Sequence, residues 1–305
     1  MPSPLVSIIT VNFNQAQLTY ELLASIGHLN YRKVEVIVVD NGSIIDPSAY
    51  IMQHFPEVRI LRSEENLGFA GGNNLGMKIA KGDYLFLVNN DTELSPDVIG
   101  QLLSVFGQQE KVGLVSPKIC YHNDGNQQHL IQYVGYTRVH PITARNITLG
   151  EFEPDKGQYI KVKPTVYAHG AAMMLKKEVL EKVGLMPELY FLYYEELDWC
   201  ELIRKAGFTI MVEPNAVVYH KESMSVGKAS PMKTYYLTRN RILFMRRNTE
   251  TWQFALFILY FTFVITPKSV VSYLFRRQIH HLRSFMAGIL WHFYAPKTSI
   301  HPQIS

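Results

Sequence analysis

Three carboxylates fall within four positions in Tyr193-Tyr194-Glu195-Glu196-Leu197-Asp198-Trp199. Crowding raises the pKa of at least one of them, and the flanking aromatics dry the surroundings. A carboxylate poised in this way acts as a general base on a hydroxyl within hydrogen-bond reach. The same charges at a helix start would also suit the positive end of its dipole. A second polar run, Asn89-Asn90-Asp91-Thr92, follows the apolar Tyr84 to Val88. A carboxylate just past a buried strand binds a hard divalent cation such as Mg²⁺ or Mn²⁺, which offsets charge on a diphosphate. The bland use of Asp91 is to cap the next turn. His220 ends another apolar run and precedes Lys221, Ser223 and Ser225, where it meets a phosphate or metal, or is simply structural. Glycines crowd the run from Glu65 to Gly76, which lets backbone approach a ligand closely. That run matches neither the dinucleotide fingerprint nor a phosphate-binding loop.

These runs are punctuation in an alternating pattern. Buried strands are predicted at 7–13, 34–40, 58–62, 84–88 and 112–116, and helices at 17–28, 46–55, 68–81 and 96–108. Strands alternating with helices imply an α/β fold with a mostly parallel sheet covered on both faces. Sites in such sheets gather at the carboxyl ends of strands. Asn12 and Asn14, then Asp40-Asn41-Gly42-Ser43, then Asn89-Asn90-Asp91 all stand at such ends. The pattern weakens from about 120 to 164, which reads as a hairpin-containing excursion toward the second substrate. Helical spacing returns at 176–184 and 195–207, and short strands are expected at 209–212 and 216–219.

Charge divides the chain unevenly. From Lys221 onward there are 12 Lys/Arg against 2 Asp/Glu, and the remainder holds 18 against 24. A basic tail on an acidic body points to an anionic partner. Within it, 254–266 is strongly apolar but stops at Pro267-Lys268 after 13 residues, whereas a spanning helix needs roughly 20. With Arg246-Arg247 before it and Arg276-Arg277 after it, the segment reads as a helix lying in a membrane interface or dipping into it. Phe285 to Tyr294 is a second aromatic helix of the same kind. The alternative is that both pack on the body or form an oligomer contact, as in a homodimer. Nucleic acid is excluded as a partner, because the tail's aromatics sit in apolar blocks and are not interleaved with Lys/Arg. Two cysteines, Cys120 and Cys200, imply no disulfide framework and fit a reducing compartment. No cleavable secretory signal is expected, since the N-terminus lacks a basic segment before its first apolar run.

Taken in order, five motifs resemble the family 2 glycosyltransferases of GT-A fold, in particular the bacterial rhamnosyltransferase-like branch. They are Thr10-Val11-Asn12-Phe13-Asn14, Val38 to Ser43, Asn66 to Gly76, Asn89-Asn90-Asp91, and Glu195 to Trp199. The likeness covers about Val6 to Arg247. It implies a catalytic domain over 1–230, split into a nucleotide-sugar half to about 118 and an acceptor half beyond it, with a membrane-associating region over 231–305. It further implies a nucleotide site over Thr10, Asn12, Asn14, Asp40, Asn41, Asn66, Gly68, Asn73, Asn90 and Arg239. Asp40 would bond the base, and Asp91 with His220 would hold the metal. His169, Gly170, Ala171 and Trp199 would face the acceptor.

The implied reaction is one in-line, inverting displacement, with Glu196 as base, Asp198 its rival and Glu195 beside them. The donor expected is dTDP-rhamnose or a UDP-hexose, and the acceptor a saccharide or lipid-linked saccharide of cell-surface polysaccharide synthesis. The expected place is the cytoplasm, peripheral on the inner face of the plasma membrane. Three departures stand out: Asn89 replaces the family's first metal-motif Asp, Glu195-Glu196 replaces its usual Glu-Asp, and Met186-Pro187-Glu188 replaces a commoner Phe-Asp-Glu. A scaffold subunit without turnover and a sugar nucleotidyltransferase are the rivals. The second would need a Gly-rich, Lys/Arg-bearing loop after the first strand, which Val11 to Gln15 lacks.

Overall fold

The computed structural model describes residues 3–108, 110–122, 129–221 and 230–294, so Ser223 and Ser225 lie outside the described residues. Apolar, β-branched runs form the first strands, β1 (Val6–Asn12) and β2 (Val34–Asn41), with α1 (Ala16–Gly27) between them. The chain continues through α2 (Ser48–His54), β3 (Arg59–Ser63), α3 (Gly68–Ile79), β4 (Tyr84–Val88), β5 (Thr92–Leu94) and α4 (Val98–Phe106). Next come β6 (Val112–Tyr121), β7 (Ile131–Tyr133), β8 (Lys163–Pro164), β9 (Ala172–Lys176), α5 (Lys177–Val183), α6 (Glu195–Lys205) and β10 (Thr209–His220). The C-terminal part is helical: α7 (Pro231–Asn248), α8 (Thr251–Tyr260), α9 (Thr266–Phe275) and α10 (Ile279–Tyr294).

Among the described residues one ten-stranded sheet runs in the order β3-β2-β1-β4-β9-β6-β10-β5, with β7 on β6 and β8 on β10. The α/β class stands, but the sheet is mixed. Strands β3, β2, β1 and β4 are parallel, as are β6 and β10, and β9 joins the two sets antiparallel to both β4 and β6. Side chains alternate along β1, so Ile8 and Ile9 enter separate apolar clusters on the two faces.

Register sets the site. Asn12 of β1 pairs with Asp40 of β2, and Asp40 with Arg62 of β3. Val88 of β4 pairs with Ala172 of β9, so Asn89 N–H donates to Ala171 O at 2.9 Å. His220 of β10 pairs with Thr92 of β5, one residue from Asp91. Helix α3 lies close on the sheet: a Cβ at Gly76 would stand 2.4 Å from Ile9 Cγ2, so only glycine permits the approach. Helix α6 has Glu195, Glu196 and Asp198 in its first turn and Arg204 and Lys205 in its last, the polarity its dipole favours.

Several expectations are corrected. Strand β6 runs on to Tyr121 past Pro117, and the two short strands at 209–212 and 216–219 are one strand, β10, with a register shift between Glu213 and Val217. Pro267 does not stop the apolar tail. A π-helical segment, Phe261–Ile265, links α8 to α9, and Pro267 falls in the first turn of α9. The resulting Thr251–Phe275 helix has 25 residues and contains an 18-residue window of mean hydropathy 1.8, long and apolar enough to cross a membrane by length and composition. Helix α10 packs on α7: a Cβ at Gly288 would stand 2.9 Å from Tyr235 O, and Phe285 stacks on Phe261.

Candidate active site

At the carboxyl ends of β1 and β2, Asn12 Nδ2 donates to Asp40 Oδ1 at 2.8 Å and to Ser43 Oγ at 3.1 Å. Asp40 is fully buried, yet its Oδ2 has no hydrogen-bond partner and Arg62 Nη1 stands 3.6 Å away. A buried carboxylate oxygen held by a distant cation is an acceptor awaiting a donor. Asn14, at φ 56°, takes the Ile44 N–H on Oδ1 at 2.9 Å, while its own N–H donates to Ser43 Oγ at 2.8 Å. Thr19 Oγ1 donates to Asn12 Oδ1 at 3.0 Å and accepts from Asn90 Nδ2 at 3.1 Å. That bond carries the network to the next strand end.

There Asp91 Oδ1 lies 3.1 Å from His220 Nε2, both side chains buried. Gln132 Oε1 sits 2.8 Å from His220 Nδ1 and, as an acceptor, holds the proton on Nδ1. Nε2 is then a lone pair facing a carboxylate oxygen, and neither atom has a hydrogen-bond partner. Two converging acceptors of this kind fit a divalent cation. Among the described residues no set of three His, Cys, Asp or Glu is placed to hold a metal, so other ligands would have to complete the shell.

His169 meets His220 edge-on at 6.1 Å between ring centroids and stacks on Tyr136. Burial pushes its imidazole down to about 3. It stays neutral, and its Nδ1 accepts the Ala171 N–H at 3.1 Å. The adjacent Gly170 brings the row to α6: a Cβ there would lie 3.9 Å from Glu196 Cδ and 3.7 Å from Phe69 Cζ. Glu196 is half-buried and Glu195 fully buried, and Oε2 of each lacks a hydrogen-bond partner. Burial pushes both carboxyls above the usual range, Glu195 further because Glu196 stands beside it. Hydrogen bonds, ring contacts and chain neighbours thus lead from Asp40 through Asn12, Thr19, Asn90, Asp91, His220, His169 and Gly170 toward Glu196.

Other expected site residues lie outside that row. Asp198 is bound by Arg247, with Nε at 3.0 Å and Nη2 at 2.9 Å, and by Asn248, so it has no free oxygen for a substrate proton. Trp199 is fully buried and its Nε1 donates to Gly184 O at 3.1 Å, which turns it away from any acceptor. Arg239 is buried and donates Nη2 to Leu189 O and Tyr190 O, both at 2.7 Å. It is engaged with backbone and offers no fork to a phosphate. Asn73 donates to Phe69 O within α3, and Thr10 lies inside β1 with a buried hydroxyl. Asn41 holds the loop before α3 by bonding Asn66 Oδ1, Gly68 O and Leu67 N–H. Sequence reasoning missed Gln132, Arg62 and Asn74. Asn74 fixes the 186–188 turn through Met186 and Glu188. A cavity of about 360 Å³ lined by Arg138, Tyr167, Glu201 and Arg204 lies along the later turns of α6, away from the row.

The model for glycosyl transferase family 2 matches residues 7–184, more than half of the 305 residues. The chain belongs to that family. It is 25% identical to the low-salt glycan biosynthesis hexosyltransferase Agl10 of Haloferax volcanii over 93% of this chain and 89% of that protein. It is 24% identical to an N-acetylglucosaminyl-diphospho-decaprenol L-rhamnosyltransferase of Mycobacterium tuberculosis over 72% of this chain and 77% of that protein. A Sinorhizobium fredii protein is 29% identical over 83% of this chain, which spans only 28% of that longer protein. Staphylococcus aureus TarS 1-349 in complex with UDP-GlcNAc superposes with TM-score 0.59 at 17% identity, covering 96% of this chain and 82% of that one. The mannosyltransferase PcManGT of Pyrobaculum calidifontis, in complex with GDP-Man and Mn²⁺, gives TM-score 0.58 at 15% identity, covering 96% and 88%. The fold is GT-A.

Proposed function

We propose that this family 2 member transfers a sugar from a nucleoside diphosphate-sugar to a hydroxyl of a saccharide or lipid-linked saccharide, with inversion, using Mn²⁺ or Mg²⁺. The observation that carries the reading is the pair of converging acceptors, Asp91 Oδ1 and His220 Nε2, between the strand end that holds Asp40 and the helix start that holds Glu196. The names of the hexosyltransferase and rhamnosyltransferase relatives agree with it.

Asp40 Oδ2 accepts the ring N–H of a pyrimidine base, which uracil and thymine both present, so UDP-hexose and dTDP-rhamnose are the first donors to test. Asp91 and His220 would hold the cation, which would supply positive charge to the departing diphosphate. Asn14 borders the same end. Glu196 Oε2 takes the acceptor proton while the acceptor oxygen bonds the anomeric carbon. The bond from that carbon to the diphosphate breaks with its electron pair leaving on the diphosphate. A single displacement from the face opposite the leaving group inverts the configuration. His169, Gly170 and Tyr136 line the Glu196 side, where an acceptor sugar would rest.

The C-terminal helices seat the protein on a membrane surface in this reading. Trp252, Leu259, Phe263, Val271, Leu274 and Phe275 are exposed and Arg276-Arg277 follow them, which suits an anionic bilayer. Cys120 and Cys200 are free and buried, in keeping with a cytoplasmic site at the inner face of the plasma membrane. Thermal melts with UDP, dTDP and GDP, each with and without Mn²⁺, test the donor end. A nucleotide bound at a hundred times its Kd adds about 2.7 kcal/mol. One pyrimidine diphosphate should raise Tm only when metal is present, and a panel in which none does so contradicts the assignment.

A further inference from the structure

Residues 189–194, which lead into Glu195 and Glu196, adopt a strained backbone, closed locally by Leu192 N–H on Tyr190 O at 2.8 Å and Phe191 N–H on Glu188 O at 3.1 Å. Phe191, Tyr193 and Tyr194 have φ of 65°, 69° and 76°. Each L-residue placed there costs about 1–2 kcal/mol, so the turn persists only where its surroundings over-determine it. Every carbonyl from 189 to 193 accepts a hydrogen bond from another element. Arg239 Nη2 donates to Leu189 O and Tyr190 O, both at 2.7 Å. Asn240 Nδ2 reaches Tyr190 O at 3.0 Å, Leu192 O at 2.7 Å and Tyr193 O at 2.8 Å. Phe69 N–H donates to Phe191 O at 2.8 Å.

The two α7 residues are themselves locked. Arg239 Nε donates to Asn240 Oδ1 at 2.7 Å, and Asn240 is fully buried. Helix α10 closes the back: the Arg239 guanidinium lies 4.8 Å from the Trp291 ring centroid, and His292 Nε2–H donates to Arg239 O at 2.9 Å.

We propose that Arg239 and Asn240 are positioning residues that fix the strained 189–194 turn and thereby aim Glu196 at the acceptor. This rests on the reading of Glu196 as the base. Both side chains are spent on the backbone of the turn and on each other. The pair acts through five backbone carbonyl contacts, and α10 braces it, so the C-terminal helices become part of the active-site frame.

Asn240→Ser and Arg239→Lys test it, the second keeping the charge but losing the fork. Two readouts are needed: hydrogen–deuterium exchange of peptides over 186–197, and steady-state turnover of whichever of UDP-glucose or dTDP-rhamnose the wild type consumes. Expected are exchange at least tenfold faster over 186–197 only, kcat down tenfold or more, and donor KM within twofold. Arg239→Lys should recover more kcat than Arg239→Gln. Unchanged exchange and kcat would overturn the proposal. So would exchange rising over the whole chain with kcat and KM worsening together, since the pair would then be ordinary core. If the wild type consumes neither sugar, the functional reading fails on its own, while local exchange still tests whether the pair holds the turn.

Discussion

At the scale of single residues, the proposed cation pair depends on Gln132. It fixes the His220 proton on Nδ1 and leaves Nε2 facing Asp91. Outer partners of this kind change metal affinity by 10–100-fold when removed. Gln132→Leu should therefore weaken Mn²⁺ binding by roughly that factor in calorimetry with UDP or dTDP present, and an unchanged affinity would detach Gln132 from the site. The acidic pair gives a pH prediction. Glu195 and Glu196 both sit above the usual carboxylate range because burial disfavours their charge. With Glu196 as the proposed base, transfer needs it ionised, so kcat should fall on acidification at a pH above 4.5, and a rate flat to that point contradicts the assignment. The stability sign is opposite. A folded pKa raised above the unfolded one adds stability at low pH that is lost as pH rises through it. Glu195→Gln should thus raise Tm at pH 8, with the gain vanishing near pH 4. The acids and Asp91 were legible because each stands just past an apolar run. Gln132 was not, since it lies 88 positions from His220 in a stretch without clear periodicity. Trp199 was legible in principle: at i+4 from Glu195 it shares that residue's buried face of α6, whereas Glu196 is turned about 100° away.

Among elements, α3 shows how one backbone position joins the two halves. Gly68 has φ +72°, and a Cβ there would stand 2.1 Å from Phe191 O, the carbonyl that Phe69 N–H binds. Gly68→Ala should cost about 1–3 kcal/mol for the left-handed position alone. Transfer should drop further, because the displaced Phe191 belongs to the turn before Glu196. Chemical denaturation and turnover on the same sample check this, and a variant within 0.5 kcal/mol of wild type would show that the contact relaxes freely. The strands that alternate with helices early in the chain were legible from their β-branched runs. Strand β9 was missed as a strand because Ala-Met-Met-Leu lacks β-branched residues and passes straight into α5. It also runs antiparallel, which converts an expected mostly parallel sheet into a mixed one. The continuity of Thr251–Phe275 was hidden by Pro267, because no local signal announces a π-helical segment.

For the molecule as a whole, the charge asymmetry and the apolar tail were legible in composition, but the way the tail joins the body was not. Helix α10 returns onto α7, leaving Phe263 and Phe275 at 73% and 89% exposure. Replacing both with Asp should abolish sedimentation with phosphatidylglycerol vesicles while Tm stays within 2 °C. Undiminished binding would place the membrane contact elsewhere. Donor binding and proton removal are proposed to occupy opposite ends of one row. Glu196→Gln separates them most directly, through the Kd of UDP or dTDP with Mn²⁺ and the rate of sugar transfer measured on the same variant. Expected are an unchanged Kd and transfer lowered about 10²–10⁴-fold. Transfer within a few-fold of wild type, or nucleotide binding lost together with it, would contradict that arrangement.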